Sequence, residues 1–152
     1  MVSSVFLYVE LNCFAITILF VIVFNMRRKD GHYSFDQKLF LRLLDVNILL
    51  LAFDMIMWII DGKPGDPIRL LYISLLVLYN ILNPVICMFW YYYVDYYVYG
   101  NESRITKALL PILLPIAINA ILSISSIFCN IYFIVDKNNF YYRGRFIFAL
   151  LA

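Results

Sequence analysis

The sequence predicts an all-α integral membrane protein, a helical bundle with four complete transmembrane helices and the start of a fifth. Two observations carry that expectation. First, 64% of the 152 residues are hydrophobic and only 14% are charged, well outside the balance of a soluble domain. Second, the apolar residues fall in runs long enough to cross about 30 Å of hydrocarbon, which takes roughly 20 helical residues. Alternating ten-residue strands, the signature of a membrane barrel, are missing from those runs.

The first helix is expected over residues 5–26. No Lys or Arg precedes it and its apolar run is too long for a signal h-region, so it reads as an uncleaved span. The second is expected over 39–60. Just ahead of it Ser34, Phe35, Asp36 and Gln37 form an S-x-x-Q capping box, in which Gln37 reaches back to the Ser34 amide. Between the second and third helices lies Asp61-Gly62-Lys63-Pro64-Gly65-Asp66-Pro67. Gly62 suits a left-handed cap, and Pro64-Gly65 suits the centre of a type II turn.

The third helix is expected over 70–93. At its end Phe89-Trp90-Tyr91-Tyr92-Tyr93 and Tyr96-Tyr97 read as an aromatic belt at one membrane interface. Asn101-Glu102-Ser103 matches a glycosylation sequon formally, but the topology below puts it on the cytoplasmic side. The fourth helix is expected over 108–135, with Pro111 and Pro115 one turn apart; these and Pro84 read as structural kinks. A further apolar run, 145–152, extends only eight residues and reads as the start of a fifth helix.

Lys and Arg set the expected orientation. Arg27, Arg28, Lys29, Lys38, Arg42, Arg104 and Lys107 lie on one side, against Lys63, Arg69, Lys137, Arg143 and Arg145 on the other. Seven against five places the N-terminus outside a multi-pass protein of the cell membrane, with the lipid bilayer as its first partner.

Polar residues inside the spans are the candidates for function. Asn47, Asp54 and Asp61 recur every seven residues and share a helix face, and Arg42 can pair with Asp45 three residues on. Asn119, Ser123, Ser126 and Asn130 make a second stripe. With the N-terminus outside, Glu10, Asn12, Asp54, Asn80, Ser126 and Asn130 fall in the outer half of the membrane and form a candidate polar pocket. Asp54 would lie about 9 Å below the border, where an ionised carboxylate costs about 2 kcal/mol or more without a partner. The Asn and Ser groups suit hydrogen bonds between helices, worth about 0.6 kcal/mol each. The cost of burying acids favours a functional role for Asp54 and Glu10.

Several classes are excluded. The sequence holds one His and no metalloprotease, phosphate-loop or nucleophile-elbow motif, so it predicts no catalytic residues, no metal and no cofactor. Cys13, Cys87 and Cys129 lie scattered in apolar runs and read as small buried hydrophobes. A net charge of +2 confined to loops gives no case for nucleic acid.

The motif order Phe6-Leu7-Tyr8-Val9-Glu10-Leu11-Asn12, Ser34-Phe35-Asp36-Gln37-Lys38-Leu39-Phe40, WIIDGKPG from Trp58 to Gly65, Tyr79 to Pro84, Tyr93-Val94-Asp95-Tyr96 and Tyr141-Tyr142-Arg143-Gly144 resembles the N-terminal membrane region of Firmicutes GGDEF-type diguanylate cyclases. The resemblance spans nearly the whole chain. It implies a sensory input domain that regulates a C-terminal cytoplasmic output making cyclic di-GMP, and a homodimer of the intact protein. No GGDEF motif occurs here, so this chain by itself is expected to be no enzyme. The expected signal is a small molecule or a membrane state. A histidine-kinase input domain, a membrane scaffold and a small transporter remain as alternatives.

Overall fold

The computed structural model describes residues 2–28, 33–136 and 138–144. It contains four long helices, α1 (Val2–Arg28), α2 (Phe35–Ile60), α3 (Asp66–Tyr99) and α4 (Glu102–Cys129), then a hairpin of β1 (Phe133–Val135) and β2 (Tyr141–Arg143). All four helices are long and apolar enough to cross a membrane. The chain is therefore a multi-pass, all-α membrane protein, to which the hairpin adds a small cap. The expected fifth helix at 145–152 lies outside the described residues.

Packing follows chain order, α1 on α2, α2 on α3 and α3 on α4. Large apolar side chains such as Phe128, Leu110 and Leu70 point outward. Hydrocarbon solvates them as well as protein would, so they need no partner helix.

The helix ends obey local chemistry. The Ser34 amide donates to Gln37 Oε1 at 3.3 Å, which is the backward-reaching half of the expected capping box. Gly100 stops α3 in the left-handed conformation, its amide donating to the Tyr96 carbonyl at 2.8 Å. Asn101 then caps α4 by accepting from the Ser103 amide at 2.9 Å. The Asn of the formal sequon thus serves as a helix cap.

Five expectations are corrected, the first being that Cys13, Cys87 and Cys129, expected to be buried, are exposed on their helices. Pro64-Gly65 does not form the centre of a type II turn: Gly65 has φ 132 and ψ 134 and is the N-cap of α3, with Pro67 in the first turn, where a missing N–H costs nothing. The fourth helix does not run to residue 135. It ends at Cys129, where Asn130 turns left-handed at φ 54, and the β-branched Ile-Val that follows pairs as a strand. Asp45 is bound by Arg27 of α1 at 2.9 Å through both carboxylate oxygens, not by Arg42 on its own helix. Helix three is also longer than expected, because the aromatic belt continues its helix to Tyr99.

At the aromatic end, the short link between α3 and α4 is held by Arg104. Its guanidinium donates to the buried Asp95 at 3.2 Å and lies 3.8 Å above the Tyr99 ring. Leu39, Tyr92 and Ile105 form the core there. At the hairpin end, Met57, Tyr72, Leu75, Leu76, Tyr132 and Phe133 form another, so the hairpin is packed into the helices.

One backbone group explains much of that packing. Pro84 has no N–H, so the carbonyl four residues earlier, on Asn80, loses its helical donor. A carbonyl left bare at membrane depth is costly. Asn119 of α4 supplies the donor, its Nδ2 reaching Asn80 O at 2.7 Å, while its Oδ1 accepts from the Tyr132 hydroxyl at 3.0 Å. Ser123 reinforces the same helix pair by donating to Val77 O at 3.3 Å.

Replacing Asn119 by Ala is expected to cost about 1–3 kcal/mol, because it strands a carbonyl and a phenol. Pro84→Ala restores the in-helix donor, so in a double-mutant cycle it should lower the cost of Asn119→Ala by about 1 kcal/mol. Reversible unfolding in mixed detergent measures both. Strict additivity would show that Asn119 does not serve the carbonyl freed by Pro84.

Candidate functional site

A cavity of about 500 Å³ opens at the hairpin end, within the usual size of small-ligand sites. Helical spacing builds two of its walls. Asp54, Met57, Trp58 and Asp61 stand at i, i+3, i+4 and i+7 on α2, so they share one face. Tyr72, Leu76, Tyr79 and Asn80 share a face of α3 at i, i+4, i+7 and i+8. The third wall comes from Tyr141 and Arg143, which alternate with Tyr142 and so lie on one side of β2.

Each acid is anchored from a different element. Asp54 Oδ2 accepts from Asn12 Nδ2 of α1 at 2.7 Å. Asp61 Oδ1 accepts from the Tyr72 hydroxyl at 2.9 Å and from the Tyr141 amide at 3.1 Å. Asp61 therefore ties the end of α2 both to α3 and to the hairpin. Behind the wall, Tyr8 of α1 stacks on Trp58 with centroids 4.4 Å apart, and this fixes the indole.

The hairpin is seated by two further polar residues. Ser126 is buried at 1% exposure, and its hydroxyl accepts from the amides of Tyr132 at 2.9 Å and Phe133 at 3.1 Å. Asn139, equally buried and left-handed at φ 61, donates from Nδ2 to Lys63 O at 2.7 Å and Gly65 O at 3.3 Å. Its own carbonyl accepts from the Gly62 amide at 3.0 Å. Gly62 is required here twice over: its φ is 70, and a Cβ would fall 2.5 Å from the Phe140 ring.

Of the six residues expected to share a polar pocket, Asp54 and Asn80 line the cavity, and Asn12 holds Asp54 from α1. Asn80 Nδ2 also donates to Leu76 O at 2.8 Å, back-bonding within α3. Glu10 is exposed on α1 and is not among the cavity's walls. Ser126 is used by the hairpin backbone and Asn130 by the end of α4.

Asp61, expected on the same helix face as Asp54, also lines the cavity, while Met57, Trp58, Tyr72, Leu76, Tyr79, Tyr141 and Arg143 are wall residues outside the expected polar set. Extending the Asp54 face by helical arithmetic reaches Met57, Trp58 and Asp61. Arg143 and Tyr141 reach the wall only through the hairpin, which no helical or strand period in the sequence marks.

Burial raises the Tyr132 and Tyr141 phenols above their ordinary pKa; for Tyr141, Arg143 partly offsets the effect and Tyr79 adds to it. Both phenols stay protonated at neutral pH and can act as donors. No cluster of three or more His, Cys, Asp or Glu poised for a metal occurs among the described residues. Comparison of the chain with family models, curated proteins and solved structures finds no match.

Asp61→Ala is expected to destabilise the chain by about 1–3 kcal/mol, since it leaves the buried Tyr72 hydroxyl and the Tyr141 amide without an acceptor. Asp61→Asn keeps an acceptor oxygen and should cost less than about 1 kcal/mol. Unfolding of both variants in detergent checks this, and equal losses would contradict the bridging role.

Proposed function

We propose that this chain is a membrane sensory domain in which the cavity at the hairpin end is the input site and the hairpin is the reporting element. The observation that carries the reading is that one cavity is walled by α2, α3 and β2 together. A ligand there would change the relative free energies of different seatings of β2 against Asp61, and a difference in affinity between two seatings is what shifts such an equilibrium. Because β2 is followed directly by Gly144 and the apolar run beyond it, a shift at Tyr141–Arg143 would pass to whatever the chain carries next.

The distribution of Lys and Arg supports an orientation with the N-terminus and the cavity outside. The resemblance to the membrane region of GGDEF-type cyclases supports a diguanylate cyclase as the output regulated from the cytoplasmic side, with cyclic di-GMP as its product and a homodimer as the working unit. In this reading the chain itself performs no chemistry. Asp54 and Asn80 give the cavity polarity, and the aromatic residues give it shape.

Reading the gene beyond the Ala152 codon tests the output directly. A frame that continues through further membrane helix into a GGDEF domain is the expected result, and a stop codon there would defeat the cyclase reading. In the intact protein, Asp54→Asn should change the cyclic di-GMP output of isolated membranes several-fold. An output indifferent to both Asp54→Asn and Arg143→Gln would remove the cavity from the signalling role.

A further inference from the structure

The charge and wall chemistry of the cavity define what it can hold. Its ionisable acids and bases are two carboxylates and one guanidinium, which leave one net negative charge. They are also unevenly partnered. Asp61 already accepts from the Tyr72 hydroxyl and the Tyr141 amide, and Arg143 follows two residues further along β2 than that contact. Asp54 lies two helical turns from Asp61, about 10 Å along α2, and is held from behind by a neutral amide, Asn12. Neither acid is in an ion pair among the described residues, and Asp54 is the one held by a single hydrogen bond from a neutral group, so it is the acid left to meet a cation.

Between the two acids the walls are aromatic and apolar: Trp58, Tyr72, Tyr79, Met57 and Leu76. Ring faces attract cations that shed water easily, and they favour ammonium groups carrying carbon over small hydrated ions. A hard metal ion would instead want a shell of several oxygens, and no cluster of three acidic, His or Cys ligands occurs among the described residues. An anion would meet two carboxylates.

Resting on the reading of this cavity as an input site, we infer that its ligand is a small organic cation, with an amine or quaternary ammonium seated by Asp54 and the ring faces of Trp58 and Tyr79. Met57 and Leu76 take the ligand's carbon body. Arg143 faces the same space and opposes a second positive charge, so the site selects monocations.

The test uses the full chain in nanodiscs, with choline as probe and the neutral carbon isostere of choline as control. Trp58 fluorescence reports binding in a Trp90→Phe background, Trp90 being exposed at the far end of α3. Choline should give a saturable change that its isostere does not. Asp54→Asn should weaken choline binding at least tenfold, about 1.4 kcal/mol. Arg143→Gln, a change on an exposed strand, should tighten it several-fold, so the inference stays testable if Asp54→Asn fails to fold.

Equal binding of the neutral isostere would overturn the cation inference and leave an apolar input site standing. A change produced equally by sodium would overturn it in favour of an alkali ion. No saturable change with choline, tetramethylammonium or butylammonium would also overturn it. The sensory reading fails separately, if cyclic di-GMP output ignores the cavity variants.

Discussion

A carbonyl in hydrocarbon must have a donor, and each proline inside α3 and α4 removes the usual one from the carbonyl four residues before it. Pro84 removes it from Asn80, and Asn119 of the neighbouring helix replaces it at 2.7 Å. The consequences spread from there. The amide that satisfies Asn80 has a second end, Oδ1, which accepts from the Tyr132 hydroxyl at 3.0 Å. A defect in α3 thus fixes α4 against it and fixes the first residues of the hairpin against α4. Burial of Tyr132 and Phe133 beside Tyr72, Leu75 and Leu76 adds the apolar part of the seat.

Once the hairpin is seated, the cavity follows. Without β2, Asp54, Trp58, Tyr72 and Asn80 would line only a groove between two helices. β2 brings Tyr141 and Arg143 over that groove, and Asp61 holds the strand by its backbone at 3.1 Å. On the far side of the strand, Asn139 grips the α2–α3 link through Lys63 and Gly65. Ser126, Asn139 and Asp61 thus hold backbone at this end, and Asp54, Asp61, Asn80 and Arg143 define the cavity's charge and polarity. This division separates Ser126 and Asn130 from the site.

The helices were legible in the sequence because a span needs length and low charge, and both are one-dimensional properties. The capping box at Ser34 was legible because it is local. The end of α4 was not. Ile131 to Val135 is apolar and continuous with the helix before it, and only Asn130, a residue tolerant of positive φ, marks the break. Its strand partner at Tyr141–Arg143 lies eight residues on, and pairing at that distance leaves no period to read. Arg27 and Asp45 show the same limit: a partner three residues away on one helix is visible in the sequence, whereas a better one on the next helix is not. Asp54 and Asn80 were found because polar groups in a span are expensive, but aromatic wall residues such as Tyr72 and Tyr79 carry no such cost and so no such signal.

The central claim is that the hairpin is held by, and reports on, the membrane helices beneath it. Amide hydrogen exchange of the nanodisc-embedded chain tests it most directly, comparing the natural sequence with Asn119→Ala. Exchange should quicken together at the Tyr132, Phe133 and Tyr141 amides, which rest on Ser126 and Asp61 and not on Asn119 itself. The Gly100 amide, bonded to Tyr96 at the opposite end, should keep its protection. Hairpin amides that exchange as slowly in the variant as in the natural chain would show that the hairpin sits independently of the α3–α4 contact, and the proposed coupling would be lost.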